Sequence, residues 1–253
     1  MDKKIILHIP HSSTIIPFSE GFLIDSIELE KEILKLTDWY TDDLFYSNEE
    51  EMIIAPFSRI FCDPERFSDD SQEVMAKFGM GVLYEKSDAG SRIREVTPEL
   101  REKILTGFYW KHHKDFSNAV NNQLESFGKA QIIDCHSYPN IPLIRDLDQN
   151  RNRPDFNIGT DSYHTSKELI DLSVDFFNRA GYSLGIDVPY GGSIVPLEHY
   201  QRNKNVQTIM LEVNRKLYLK ELSNEKNESY HTIKELTQSF IRKIKDHFYH
   251  QLL

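Results

Sequence analysis

Four short apolar runs, each broken off at once by polar or ionisable residues, constrain this chain more than any other feature. They are Ile5 to Ile9, Met52 to Pro56, Gln131 to Cys135 and Thr208 to Val213. Such a run is the pattern of a buried strand in a parallel sheet whose end delivers side chains to an active-site edge. Helical patterns lie between the runs, at Ile27 to Leu36, Thr97 to Phe127 and Ser166 to Ala180. The second opens on Thr97-Pro98-Glu99, a cap with proline in the first turn. The alternation predicts an α/β fold, with three layers (α/β/α) around a central mixed, mostly parallel sheet. Phe67 to Arg94 holds Gly79, Gly81 and Gly90 with few regular signals and reads as a long loop covering a site; Tyr138 to Thr165 reads as a second irregular region. The charged stretch from Glu221 to Lys243 reads as a solvated terminal helix. No repeat, linker or composition break divides the chain, so residues 1–253 read as one domain, and 39% hydrophobic content suffices for its core.

Charge narrows the partners. A net charge of -10 argues against a nucleic-acid or anionic-membrane surface, which needs clustered Lys and Arg, but leaves room for a small anionic substrate held by a few local arginines. Cys62 and Cys135 sit inside apolar runs and read as buried free thiols. After Met1-Asp2-Lys3-Lys4 only Ile5-Ile6-Leu7 precede His8, too little for a signal-peptide core or a membrane span, so a cytoplasmic location is expected.

The chemistry concentrates where the apolar runs stop. Ile132-Ile133-Asp134-Cys135-His136-Ser137-Tyr138 ends a strand in a histidine with Asp134 at hand to set its tautomer; metal ligand and satisfied strand-end histidine are both open readings. Leu7-His8-Ile9-Pro10-His11-Ser12-Ser13 repeats the pattern. Period-2 geometry puts His8 and His11 on opposite faces if the strand continues, and His11 is then the better ligand and His8 a packed or supporting group. A catalytic zinc takes a third protein ligand, often a carboxylate, and Thr37-Asp38-Trp39-Tyr40-Thr41-Asp42-Asp43 offers several, although Asp42 can equally cap a helix. Glu212 stands alone in the apolar strand Ile209 to Val213. A buried carboxylate is costly unless paired or used, which leaves a salt bridge to Arg215 or a general base with raised pKa. Arg59 and Arg66 flank another strand end, suited to bidentate capture of a carboxylate or to internal pairing with Asp63, Asp69 or Asp70.

Taken in order, these segments resemble the N-formylglutamate amidohydrolase family from Ile5 to about Leu219. The residues that carry the resemblance are His11-Ser12-Ser13 with Pro17, Asp38-Trp39-Tyr40-Thr41-Asp42, Ser58-Arg59, Asp63-Pro64-Glu65-Arg66-Phe67, Gly79-Met80-Gly81, Asp134-Cys135-His136-Ser137, Gly159-Thr160, Pro189-Tyr190-Gly191-Gly192 and Glu212-Val213-Asn214-Arg215. The family looks distantly like the zinc carboxypeptidases, which implies a zinc-carboxypeptidase-like (phosphorylase/hydrolase-like) fold. The pattern departs at Thr14, where the carboxypeptidases carry a glutamate ligand, and at Glu65, where the family often carries asparagine. The resemblance implies one Zn2+ per chain held by His11, His136 and Asp38, with Asp63 and Asp42 competing for the third place. It further implies Glu212 as general base and Arg59, Arg66 and Arg215 as binders of an anionic N-acyl amino acid. The reaction it implies is hydrolysis of N-formyl-L-glutamate to formate and L-glutamate. The alternatives are a deacylase for another N-acyl amino acid and a non-catalytic small-ligand-binding relative. His113 and His164 are expected to be helpers or ordinary packing histidines.

Overall fold

The computed structural model describes residues 4–252, so Met1 to Lys3 of the polar start and Leu253 lie outside it. Six strands form one sheet: β1 (Ile6–Ile9), β2 (Glu51–Ile54), β3 (Ala130–Tyr138), β4 (Phe156–Gly159), β5 (Leu184–Ile186) and β6 (Val206–Asn214). Their order is β2-β1-β3-β6-β4-β5. All neighbouring pairs run parallel except β4 and β6, which are antiparallel, so the sheet is mixed and mostly parallel as expected.

The four apolar runs become β1, β2, β3 and β6, and the last two extend to nine residues each. β4 and β5 fall where no strand was expected, β4 inside the segment read as irregular. Their lengths of four and three residues are too short for periodicity to show, and Asn157 and Gly159 dilute the apolar signal. Gly159 is there for close approach: a Cβ would stand 2.1 Å from the Gly192 carbonyl oxygen. Asn157 also donates to Tyr190 O and accepts from Val188 N, so β4 anchors the loop around Pro189 to Gly192.

Alternation along the strands sorts the core. Ile5, Leu7, Ile9, Ile133, Cys135, Ile209, Leu211 and Val213 face α5 (Lys167–Ala180) and α6 (Tyr230–His250), packing around Phe156, Phe177 and Phe240. Ile6, Ile132 and Val206 face the other way, onto Phe116 and Val120 of α4 (Trp110–Phe127). These are the three layers. α1 (Ser26–Leu36), capped by Asp25, and the one-turn α2 (Thr41–Leu44) follow β1.

Two helix expectations are corrected. Thr97 to Phe127 is not one helix: α3 (Pro98–Ile104) passes through a π-helical stretch at Leu105–Tyr109 before α4. The extra residue per turn re-phases the chain, so Leu100 and Ile104 pack in one cluster and Phe116 and Val120 in another. The terminal helix starts at Tyr230, not Glu221, and is amphipathic, burying Ile233, Phe240, Ile241, Ile244 and Phe248. Both cysteines are buried and free. Among the described residues no helix is long and apolar enough to cross a membrane.

Candidate active site

Strand parity assembles the site. His8, Asp134, His136 and Glu212 occupy the positions that alternate with the α5–α6 core residues, and the register sets His8 beside Asp134 and His136 beside Glu212. Placing such groups in the strands is costly in an apolar layer, but β3 and β6 end at the sheet's edge and open there on a cavity of about 310 Å³. His11, Asp38, Arg59, Glu65, Arg66, Tyr84, His136, Glu212 and Arg215 line it. The expected covering loop supplies Met75, Met80 and Tyr84 to its wall.

β1 stops at Ile9, so His11 does not take the opposite face from His8 as regular alternation predicted. After Pro10 the chain turns, and both rings converge on Glu65: His8 Nδ1 lies 3.7 Å from Oε1, and His11 Nε2 lies 3.7 Å from Oε2. The rings of His11 and His136 stand 5.1 Å apart, centre to centre.

Each imidazole is backed by an aspartate. His11 Nε2 lies 2.9 Å from Asp63 Oδ1, and His136 Nε2 lies 3.1 Å from Asp134 Oδ1. Where such carboxylates take the Nε2 proton, Nδ1 is left as the lone pair that can meet a cation. Asp38 Oδ2 faces both free edges, 3.0 Å from His136 Nδ1 and 3.6 Å from His11 Nδ1. His11 Nδ1 is buried and has no hydrogen-bond partner. On the other side, His11, Glu65 and His136 offer ligand atoms that all lie within 4.8 Å of one another, with Glu65 Oε1 3.2 Å from His136 Nε2; Asp38 belongs to no group that tight among the described residues.

Burial opposes ionisation of Asp38, but the adjacent imidazoles of His11 and His136 and the Arg215 charge hold its carboxyl well below the usual range. Burial likewise opposes ionisation of Asp63 and Asp134, and the neighbouring histidines, with Arg59 beside Asp63, keep both low. Glu212 is different. Burial, with the charges of Asp38 and Glu65, pushes it up to about 8 against the pull of His136 and Arg215, and its Oε2 is buried without a partner.

Arg215 does not pair with Glu212. It donates to Asp38 Oδ1 at 2.9 Å, Lys35 O at 2.8 Å and Ser137 O at 3.1 Å, so it fixes Asp38 in place while still bordering the cavity. Arg59 clamps Asp63 Oδ2 through Nε and Nη2, at 3.2 and 3.0 Å, and its Nη1 lies 3.9 Å from Asp38 Oδ1. Arg66 pairs with neither Asp69 nor Asp70; it lies 3.6 Å from both Asp63 and Glu73, and its buried Nε has no hydrogen-bond partner.

A model of the N-formylglutamate amidohydrolase family matches residues 3–219. The chain belongs to that family. An N-formylglutamate amidohydrolase from Ralstonia eutropha JMP134 has a similar structure, with a TM-score of 0.84 at 22% identity over 96% of this chain and 93% of that one. A gene product from Agrobacterium tumefaciens is more distant, with a TM-score of 0.64 at 13% identity over 96% and 92% of the two chains. At such identities the likeness shows the shared fold. A search of curated proteins found no match.

In this N-formylglutamate amidohydrolase family member, His11, Asp38, His136, Glu212, Arg59, Arg66 and Arg215 all reach one cavity. Of the competitors for the third ligand, Asp63 sits behind His11 with Arg59 and Tyr84 on its other oxygen, and Asp42 lies in the first turn of α2, away from the cavity lining. His113 and His164 bond Pro64 O and Val206 O and stay outside the cavity lining.

Two participants were not singled out. Glu65 entered the sequence reading only as a departure from the family pattern, and no periodicity marks a carboxylate delivered by a turn. His112 accompanies His8: Asp134 Oδ1, His8 Nδ1, His8 Nε2 and His112 Nε2 form a buried chain of 2.9 Å steps behind His136. Burial, then the His8 and His113 charges, pushes His112 down to about 2, so it is neutral in that chain.

The residues fit a metal. Imidazole nitrogens with a carboxylate oxygen are the donor set of a catalytic zinc, and the orphaned His11 Nδ1 is the kind of buried lone pair that a cation satisfies.

Proposed function

We propose that this amidohydrolase family member is a zinc-dependent hydrolase of N-acyl amino acids, and that N-formyl-L-glutamate, cleaved to formate and L-glutamate, is the first substrate to test. The observation that carries the reading is the unpartnered His11 Nδ1 facing an Asp38 carboxylate shared with His136 Nδ1. His11, Asp38 and His136 are the ligands this favours, with Asp63 and Asp134 holding the rings in place. When bound, zinc supplies Lewis acidity, polarising the acyl oxygen and acidifying a water molecule.

The chain's own groups do the rest. Glu212, kept basic by burial and free at Oε2, accepts a proton from the attacking water and passes it to the leaving amine nitrogen. Arg59 and Arg66, which line the cavity, meet the substrate's carboxylates; Asp63 and Glu73 hold both guanidiniums, so they are rigid when the substrate arrives. The name of the Ralstonia relative supports glutamate as the amine product.

Elemental analysis and formate release from N-formylglutamate, on one preparation with and without a chelator, test this. The expected result is about one zinc per chain and chelator-sensitive release. Glu212→Gln should keep the zinc and lower kcat by about 10²- to 10⁴-fold. A metal-free, inactive protein would favour a small-ligand-binding relative instead.

A further inference from the structure

A second, larger cavity adjoins the polar one. It measures about 900 Å³ and meets the 310 Å³ cavity at Lys35, Asp88, Pro139, Leu143 and Arg215, which line both. Its wall carries an aliphatic cluster among polar and charged residues: Leu34 from α1, Ile141, Leu143 and Ile144 after β3, and Leu219 and Leu222 after β6. Ile144 is 71% exposed, Leu222 84% and Ile141 46%. A single exposed aliphatic needs no explanation, but several around one concavity mark a binding surface.

Three lysines at its rim are already paired, and Glu28, Lys31 and Glu221 add charges of both signs there. Lys35 pairs with Glu32 at 2.7 Å, Lys216 with Asp155 at 3.1 Å and Lys220 with Glu225 at 2.6 Å. Arg59 and Arg66, by contrast, line only the polar cavity. The anionic amino-acid half of a substrate therefore belongs with these arginines. An uncharged apolar group belongs on the far side of Arg215, across the scissile carbonyl. A formyl group is far too small to use such space, whereas both cavities fall in the size range of ligand sites, roughly 300–1,000 Å³.

We propose that the substrate of this site is an N-acyl amino acid with an extended apolar acyl chain, aliphatic or aryl, whose tail lies in the larger cavity. This rests on the hydrolase reading above. Water adds across the amide: the acyl carbon gains a C–O bond and loses its C–N bond, and the proton reaches the leaving nitrogen through Glu212. The products are a long-chain or aryl carboxylate and the free amino acid.

The test is kcat/KM of the zinc-loaded protein for formyl-, acetyl-, hexanoyl-, octanoyl- and benzoyl-glutamate, with binding of the same series to Glu212→Gln protein measured by calorimetry. A rise of at least about tenfold from acetyl to octanoyl is expected. Ile141→Asp, at a position that is 46% exposed, should lower kcat/KM for octanoyl-glutamate far more than for acetyl-glutamate and so flatten the series. Turnover that is flat or falls with chain length overturns this proposal and leaves the hydrolase reading standing. A rise that follows the amino-acid side chain at constant acetyl, in N-acetyl-leucine and N-acetyl-phenylalanine, overturns the assignment of the cavity to the acyl group. Chain-length-dependent binding without any turnover by the native protein overturns the hydrolase reading and supports the apolar cavity; neither binding nor turnover overturns both.

Discussion

Asp63 and Asp134 decide which edge of each imidazole is available, and that choice separates Asp38 from Glu65. If both Nε2 atoms carry protons toward these aspartates, a cation sits on the Nδ1 side with Asp38. Asp38→Asn should then weaken zinc binding by more than the 10- to 100-fold typical of losing an outer partner. Glu65→Gln should leave stoichiometry near one zinc per chain, and competition titration with a chromophoric chelator distinguishes them. The opposite ranking would move the metal to the Nε2 side. At this scale His11, His136 and Glu212 were legible because each interrupts or ends an apolar run, where an ionisable group has to be used or paired. Glu65 and His112 were not, since a turn carboxylate and a helix histidine look alike whether they face solvent or a site. The pairing of Arg215 with Asp38 instead of Glu212 was equally hidden. It joins residues 177 positions apart, which meet across the end of β3, where Ser137 N donates to Asp38 and Ser137 O accepts from Arg215.

Between elements, α2 is held to α6 by one acidic side chain. Asp43 accepts from Tyr230 Oη at 2.6 Å and from Lys234 Nζ, with Lys226 3.5 Å away. Partial burial opposes its ionisation, yet these partners hold its carboxyl below the usual value. A carboxyl lowered on folding stabilises the protein above its unfolded pKa, near 4, and loses that contribution as pH falls through the folded value. Asp43→Asn should therefore lower Tm at pH 7 by about 1–3 °C, with the difference from the native protein closing below pH 4. A gap that persists at pH 3 would mean the loss is packing rather than charge. Elements were legible in proportion to their length. Long helices and nine-residue strands show their period, whereas β4, β5 and the π-helical stretch are set by neighbours: β4 by β6, β5 by β4, and the stretch by two clusters that the flanking helices must serve at different angles.

For the whole molecule, the α5–α6 layer depends on a run of stacked rings. Phe177 of α5 meets Phe156 of β4 at 4.4 Å and Phe240 of α6 at 5.1 Å, all three fully buried. Phe240→Ala should cost about 3–5 kcal/mol and lower Tm by roughly 6–20 °C, measurable by calorimetry. A change under about 1 kcal/mol would mean the layer repacks around the void. The order of the strands has a further consequence, for a chain made from its N-terminus. β6 lies between β3 and β4 and is the last strand to be synthesised, so until residue 214 has emerged the sheet exists only as two separate pieces, β2-β1-β3 and β4-β5. During that interval β3 offers an unpaired edge nine residues long to any other extended chain. Arg215, which steadies Asp38, follows directly behind β6. Completion of the sheet and completion of the site are thus one late event, and a ribosome that pauses before it leaves an adhesive half-protein with no pocket.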